Sequence, residues 1–170
     1  MKICGIDPGQ KGGIAFIDTS AHRLYGLRTF EMPGFNVSLR GKKTGKKILD
    51  ASEVAKIIRL EAPEVVVIEH VHAMPKQGVT SMFNFGKDFG TLIGVSHALG
   101  YKPVLYSAKV WKGGLGLNSS KELSLETARS LFPSNLDDFK RKKDDGRAEA
   151  ALLAYYHWKS ISSVSSQKQK

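Results

Sequence analysis

One short run of aliphatic residues limits the folds open to this chain more than any other feature. The segment Glu64–Glu69 reads EVVVIE, so four consecutive aliphatic side chains lie between carboxylates. A strand that is apolar at every position must be covered on both faces, which is typical of a parallel strand in an α/β sheet. The sequence therefore predicts an α/β domain with this strand buried inside it.

The other patterns along the chain predict one α/β domain with a mixed sheet. Three strands at the beginning form an antiparallel meander, and later segments alternate between strand and helix. The predicted strands are 2–7, 13–17, 25–32, 64–69 and 102–106, and the predicted helices are 50–60, 78–99, 107–112, 120–132 and 144–158. Asp50 is expected to cap its helix and Pro133 to end another. We expect a single domain over residues 1–158 and a flexible polar tail over 159–170.

Charge and cysteine content narrow the function classes. Lys and Arg number 26 against 16 Asp and Glu, a net charge of +10, which indicates a polyanionic partner such as nucleic acid or an anionic membrane. The longest aliphatic run, Val65–Ile68, falls far short of the roughly 20 residues of a membrane span. A single cysteine, Cys4, allows neither an intrachain disulfide nor a cysteine-based zinc site. We expect a soluble intracellular protein.

Carboxylates stand where a core is expected. Asp7 and Glu69 each end an apolar strand, and the functional crevice of an open α/β sheet lies beyond such strand ends. Asp145 and Glu149 share one helix face, and Glu149 precedes a buried AALLA segment. A carboxylate there is costly without a cation. All-oxygen ligands favour Mg²⁺ or Mn²⁺, and four acids fit a site with two ions.

Each acid also has a structural interpretation that remains open at this point. Asp7 and Glu69 could cap their strands in solvent, and Asp145 could be an ordinary helix N-cap. Glu149 could pair with Arg147 or Lys142. Asp144 competes with Asp145 for the role of ligand.

Three segments together resemble a known family. Gly5–Gly9 (GIDPG), the Ile68-Glu69 strand end and Arg141–Ala150 (RKKDDGRAEA) resemble the RuvC family of Holliday junction resolvases, and most closely its phage RuvC-like and chloroplast members. The likeness spans about residues 2–157. It implies an RNase H-like fold with a five-stranded mixed sheet, a homodimer, and Mg²⁺- or Mn²⁺-dependent paired nicking of four-way DNA junctions.

The resemblance also assigns roles to particular residues. It implies that Asp7, Glu69, Asp145 and Glu149 are metal ligands and that Lys121 is the functional lysine near the scissile phosphate. Bacterial RuvC spaces its last two acids three residues apart, whereas the spacing here is four, which keeps Asp144 in competition with Asp145.

Basic and apolar residues near these motifs are candidate DNA contacts. Cations could neutralise phosphates, and apolar side chains after the Glu69 strand could unstack bases at the junction centre. Solvated loops and a core position for the phenylalanine are the alternatives. The candidates are Arg40, Lys42, Lys43, Lys46, Lys47, Met74, Lys76, Met82, Phe83, Lys109, Lys112, Arg141, Lys142 and Lys143.

Other features bear on partners and alternative functions. Small residues in the 78–99 helix, Gly86, Gly90, Gly94 and Ser96, could pack against a second copy or against the sheet. The Gly113–Gly116 segment lacks the Lys-Ser/Thr of a P-loop, so no nucleotide cofactor is expected. An RNase H-like nuclease acting on RNA or RNA–DNA hybrids and a non-catalytic DNA-binding module are the alternatives. The expected location is the cytoplasm or nucleoid of a phage or bacterial host cell, or an organelle if a transit peptide has been removed.

Overall fold

A computed structural model describes the fold for residues 1–20, 26–38, 40, 46–72 and 78–167, except for the side chains of residue 46 and residues 164–167. The strands are β1 (Lys2–Asp7), β2 (Gly13–Asp18), β3 (Gly26–Glu31), β4 (Gly34–Val37), β5 (Lys46–Leu49), β6 (Val65–His70) and β7 (Val104–Ser107). The main sheet has the order β3-β2-β1-β6-β7. Its first three strands are antiparallel neighbours, whereas β6 runs parallel to β1 and β7. The predicted mixed five-stranded sheet is confirmed.

Helices cover both faces of this sheet. They are α1 (Ala51–Glu61), α2 (Val79–Ala98), α3 (Ala108–Gly114), α4 (Lys121–Leu131) and α5 (Asp145–Gln167), with 3-10 helices at Pro133–Phe139 and Lys142–Asp144. Asp50 caps α1 as predicted, because its carboxylate accepts the backbone N–H groups of Ser52 and Glu53. Among the described residues, no helix combines the length and the apolar composition needed to cross a membrane.

Alternate residues of the central strands enter two different cores. Val66 and Ile68 of β6 join a cluster with α1 and Leu92 of α2, whereas Val67 joins a cluster with α3, α4 and α5. All three side chains are buried. The two-faced burial expected from EVVVIE is therefore present, and it follows from the alternation of side chains along a strand.

Helix α5 lies unusually close to the sheet. Its inner face carries small residues, including Ala150 and Ala154, both fully buried. Opposite them, Gly5 of β1 has no room for a Cβ, since that atom would collide with the carbonyl oxygen of Ala150. The absence of side-chain bulk on both surfaces lets the helix backbone approach the strand, and this approach positions the acids of α5.

Several boundaries differ from the sequence prediction. Lys47, predicted in a loop, lies in β5, which pairs with β4 in a separate two-stranded sheet. Pro133 ends α4 but also begins a 3-10 helix, because proline is tolerated at the first position of a helix. Helix α5 continues past the predicted end at Trp158 to Gln167. Within this extension the hydroxyl of Ser160 donates to the carbonyl of His157, three residues earlier in the helix.

We expect Gly5→Ala to destabilise the protein by about 1 to 3 kcal/mol, because the added methyl group forces α5 away from β1. Gly26→Ala is the matched control, since a Cβ at this strand glycine would make only an ordinary contact with Asp18 at 3.6 Å. It should stay within about 0.5 kcal/mol of the wild type. Urea unfolding of both variants measures the difference, and equal stabilities would contradict the close packing of α5.

Candidate metal centre and active site

Three carboxylates meet at the carboxyl ends of the central strands. Asp7 ends β1 and Glu69 lies near the end of β6, and the parallel register that pairs Ile6 with Ile68 places the two acids side by side. Glu149 reaches them from the first turns of α5. Each of the three side chains offers one oxygen, and these oxygens all lie within 4.8 Å of one another. We call Asp7, Glu69 and Glu149 the acid cluster.

The acid cluster carries an electrostatic cost. Burial raises the pKa of Asp7 well above its usual range, and the nearby negative charges of Glu149 and Glu69 raise it further. Burial also raises the pKa of Glu69, although a hydrogen bond from Trp111 opposes this effect. Neighbouring carboxyl groups with raised pKa values do not all ionise readily. A bound cation stabilises their anionic forms. The oxygen-only donor set fits a hard divalent metal ion.

One lysine lies inside the acid cluster. Lys112 of α3 donates a hydrogen bond from Nζ to Oε1 of Glu149 at 2.7 Å, and its side chain is only 14% exposed. The hydroxyl of Ser124 donates to the same oxygen at 3.1 Å. The sequence predicted Lys112 as a DNA contact and offered Arg147 or Lys142 as partners of Glu149. The structure instead pairs Glu149 with Lys112, because α3 is folded against α5.

Asp145 lies beside the acid cluster and outside the three-oxygen group. Its carboxylate accepts a hydrogen bond from Lys121 at the beginning of α4. This bond raises the pKa of Lys121, which strengthens its hold on the proton. Asp7, Asp145, Glu149 and Lys121 line one cavity of about 560 Å³. Glu69 does not line this cavity, but it is joined to Asp7 and Glu149 through the acid cluster. The four acids and the lysine named from the sequence are therefore gathered in one region.

Asp144, the competitor of Asp145, belongs to a different network. It is 1% exposed, and its carboxylate accepts hydrogen bonds from the Arg141 backbone N–H at 2.7 Å and guanidinium at 2.8 Å. Arg147 forms an ion pair with the same carboxylate at 2.9 Å. Arg141 also bonds Glu31 of β3 at 2.9 Å. Asp144 thus anchors the beginning of α5, and the guanidinium of Arg141, a predicted DNA contact, holds two acids.

A basic groove lies on the other side of Asp145. This cavity of about 530 Å³ is lined mainly by cations, together with Asp145 and Glu31. Its cationic side chains are Lys11, Lys47, Lys121, Lys142, Lys143 and Arg147. Lys11 and Gln10 were not selected from the sequence, although both follow Asp7 in the β1–β2 turn. Gln10 donates to the backbone carbonyl of Lys47 at 2.6 Å, which joins this turn to the β4–β5 hairpin.

The remaining predicted DNA contacts are dispersed. Arg40 and Lys109 are exposed, Met82 is half-buried, and Phe83 is 71% exposed on α2, which rules out the core position considered for it. Lys42, Lys43, Met74, Lys76 and the side chain of Lys46 lie outside the described residues. Their roles stay predictions.

We expect Asp144→Asn to cost about 3 kcal/mol of stability at pH 7, because it leaves two arginines without their buried partner. Burial acts to raise the pKa of Asp144, but the hydrogen bonds from Arg141 and the charge of Arg147 outweigh it, so the pKa lies below its usual range. The stabilisation is therefore complete above the pKa of an unfolded aspartate, about 3.9, and is lost as the pH falls through the lower folded value. Unfolding curves between pH 3 and 7 measure it.

The matched control for this prediction is Asp137→Asn. Asp137 is 95% exposed and pairs only loosely with Lys140 at 3.4 Å. Its loss should change stability by less than about 0.5 kcal/mol at every pH. Equal effects of the two substitutions would contradict the anchoring role of Asp144.

Comparison of the sequence with known proteins finds a partial match to one curated protein. No family model matches the chain. Over 77 residues, which are 44% of this chain, it is 39% identical to the chloroplastic Holliday junction resolvase MOC1 of Chlamydomonas reinhardtii. The chain matches only 8% of the length of that relative.

Solved structures extend the likeness over nearly the whole chain. Thermus thermophilus RuvC in complex with a Holliday junction substrate superposes with a TM-score of 0.61 at 15% identity, covering 94% of this chain and 96% of RuvC. The yeast mitochondrial Holliday junction resolvase Ydc2 gives 0.52 at 17% identity, covering 91% and 76%. The resemblance and the fold class read from the sequence are confirmed. The chain therefore has the RNase H-like fold of these solved RuvC-like structures, and the sequence resemblance described above agrees with that fold.

Proposed function

We propose that this protein is a metal-dependent Holliday junction resolvase that makes paired, symmetric nicks in four-way DNA junctions. The observation that carries the proposal is the acid cluster, with three carboxylate oxygens within 4.8 Å of one another at the strand ends of a RuvC-like sheet. The curated relative from Chlamydomonas and the superposed Thermus protein are both associated by name with Holliday junctions. These findings support the same substrate here.

The donor set supports a divalent cation as cofactor. Asp7, Glu69 and Glu149 would hold one Mg²⁺ or Mn²⁺, and Asp145 would complete the donor set for a second ion. When bound, the metal supplies an activated water and stabilises the leaving oxygen of the phosphodiester. These ligands are oriented before DNA arrives, because the strands and α5 that carry them are rigid elements.

Lysines supply the positive charge that the reaction needs near the scissile phosphate. Lys121 is 67% exposed, so its ammonium group can turn from Asp145 towards an incoming phosphate. There it would stabilise the negative charge that develops on the phosphate oxygens. Lys112 compensates the charge of Glu149 from within the acid cluster.

The basic groove supports DNA as the substrate. It begins at Lys121 and Asp145 and continues between the β1–β2 turn and the segment that precedes α5. Lys11, Lys142 and Lys143 project cations along this path, and each phosphate they neutralise releases condensed counterions. A backbone strand lying in the groove would enter the region of the acid cluster directly.

We expect the wild-type protein with Mg²⁺ to cut synthetic four-way junctions by paired nicks in opposed strands, and to leave linear duplex and RNA–DNA hybrid largely intact. Asp7→Asn should bind junctions as well as the wild type while cleaving them at least about 100-fold more slowly, because it removes a metal ligand and keeps the shape of the site. Gel-shift and cleavage assays on labelled junctions measure both properties.

The same assays identify the alternatives. Preferential cutting of the hybrid would indicate an RNase H-like activity. Junction binding without cleavage of any substrate would indicate a structural DNA-binding module. Normal cleavage by Asp7→Asn would contradict the ligand assignment.

Homodimer formation is part of the proposal, because two copies of one site cut two opposed strands symmetrically. Helix α2 offers a face for a second copy. Val79 and Phe83 are 85% and 71% exposed, and they continue into Gly86, Gly90 and Gly94 on the same helix face. A Cβ at any of these three glycines would meet nothing within 4 Å, so they do not serve packing on the sheet. We call these five residues the α2 stripe.

The fourth small residue named from the sequence does not belong to the α2 stripe. Ser96 is fully buried on the opposite face of the helix, where its hydroxyl donates to the carbonyl of Leu92 at 2.8 Å.

We expect Gly90→Glu to convert the dimer into a folded monomer, because a charged side chain in the centre of the α2 stripe blocks close packing of two helices. The variant should cut single strands of a junction without pairing the nicks. Sedimentation and nick pairing on a cruciform plasmid measure these effects. Thr80→Glu, an exposed residue on the flank of the same helix, should remain dimeric. A dimeric Gly90→Glu protein would exclude the α2 stripe as the interface.

The location of the protein stays a prediction. The relative from Chlamydomonas is chloroplastic by name, which supports the organellar alternative over the cytoplasm or nucleoid of a bacterial cell.

A further inference from the structure

We propose that Trp111 is a positioning residue that sets the orientation of the Glu69 carboxylate for metal binding. The indole Nε1–H donates a hydrogen bond to Oε2 of Glu69 at 2.8 Å. The consequence for DNA cleavage rests on the proposed function, whereas the consequence for metal binding rests on the acid cluster alone.

The hydrogen bond is strong because of where it lies. Trp111 is 0% exposed, so its N–H has no water to replace the carboxylate. A hydrogen bond to an ionised acceptor in such surroundings is shorter and stronger than one between neutral groups. The bond therefore fixes the rotation of the Glu69 carboxylate, with Oε2 held towards the indole.

The indole is itself held in place by the fold. Strand β7 pairs with β6 in a register that sets Tyr106 opposite Glu69, and α3 begins directly after that strand. Gly114 at the end of α3 has no space for a Cβ, which would collide with the ring of Tyr156 on α5. Helix α3 is therefore seated on α5 with little freedom. The indole is packed in the same core as Leu125 of α4.

The next residue of α3, Lys112, contacts a second carboxylate of the acid cluster. The ammonium group of Lys112 lies 5.1 Å from the centre of the Trp111 ring, within the range of a cation–π contact. Lys112 in turn pairs with Glu149 at 2.7 Å. Two consecutive residues of α3 thus hold two of the three carboxylates of the acid cluster, one through a neutral donor and one through a cation.

A purely structural role for Trp111 leads to different expectations. If Trp111 only fills volume, a side chain of the same shape should preserve the packing and leave metal binding unchanged. A positioning role depends on the N–H group, since that is the atom that touches Glu69. The decisive change therefore removes the N–H and keeps the ring.

Benzothienylalanine at position 111 makes that change, because it places a sulfur atom where tryptophan has its N–H. We expect it to weaken Mn²⁺ binding about tenfold, the loss typical of a hydrogen bond to a charged group. Trp111→Phe should weaken binding at least as much. The electron paramagnetic resonance signal of free Mn²⁺ measures the affinity without DNA. The matched control is Phe139→Leu, a fully buried residue of the same core that should lower the melting temperature and leave Mn²⁺ binding unchanged.

A second measurement observes the hydrogen bond itself. The chain has two tryptophans, so its ¹H–¹⁵N spectrum contains two indole cross-peaks, and Trp158→Phe assigns them. Addition of Mg²⁺ should shift the cross-peak of Trp111 and leave that of Trp158 in place. Glu69→Gln should shift the Trp111 cross-peak in the metal-free protein.

Two results would overturn the inference while leaving the proposed function intact. One is wild-type Mn²⁺ affinity in the benzothienylalanine protein, and the other is a Trp111 cross-peak that ignores both Mg²⁺ and Glu69→Gln. If the wild-type protein binds Mn²⁺ but fails to cut junctions, the proposed function fails, and the role of Trp111 is still supported by a weaker affinity in its variants.

Discussion

The closeness of α5 to the sheet brings the acids of this helix to the acids at the strand ends. Gly5 faces the helix where no side chain fits, and Gly146 at the beginning of α5 forms a backbone bridge with Gly12 of the β1–β2 turn. Because Gly12 and Gly146 carry no Cβ, the backbone of the turn and that of α5 approach to hydrogen-bonding distance. Glu149 is thereby placed among the strand ends, next to Asp7. A larger residue at either contact would separate the acids that the fold brings together.

That closeness creates an electrostatic problem that the surrounding residues reduce without removing. The acid cluster concentrates negative charge where burial already disfavours it, and the raised pKa of Asp7 records this cost. Lys112 and Lys121 neutralise part of the charge from α3 and α4, and Ser124 adds a neutral donor. Such a site costs stability for the sake of the geometry of the acid cluster, a cost common at functional sites.

Asp144 and the two acids that follow it, Asp145 and Glu149, lie in different surroundings. Asp144 is enclosed by Arg141 and Arg147 and fixes the beginning of the helix. Asp145 and Glu149, one helical turn apart, then face the cavity that also holds Lys121. The anchor pairs with Arg147 of α5 and with Arg141 just before this helix, so two cations of the basic segment serve the fold. Arg147 also lines the basic groove, so the anchor and the groove share this cation.

Much of the fold and of the site could be read from the residues alone, for physical reasons. Alternation and aliphatic runs are local properties, so they revealed the strands, the two-faced burial of Val65–Ile68 and the acids that follow them. The β4–β5 hairpin escaped prediction, because the charged residues Lys46 and Lys47 resemble a solvated loop unless their pairing partners are known. The choice between Asp144 and Asp145 could not be made either, since adjacent residues differ only in the direction that the helix gives them.

By itself, the sequence predicted an α/β domain with a mixed sheet and candidate acids at its strand ends, and it carried the net positive charge and the family likeness. Each of these depends on residue type and spacing along the chain. Only the tertiary structure decided that Lys112 lies among the acids and that Trp111 donates to Glu69. It also decided that Gly86, Gly90 and Gly94 of α2 face open space. The two contacts join residues distant in sequence, so they exist only once α3 and α5 are packed against the sheet. The exposed face of α2 is likewise defined only once that helix is packed.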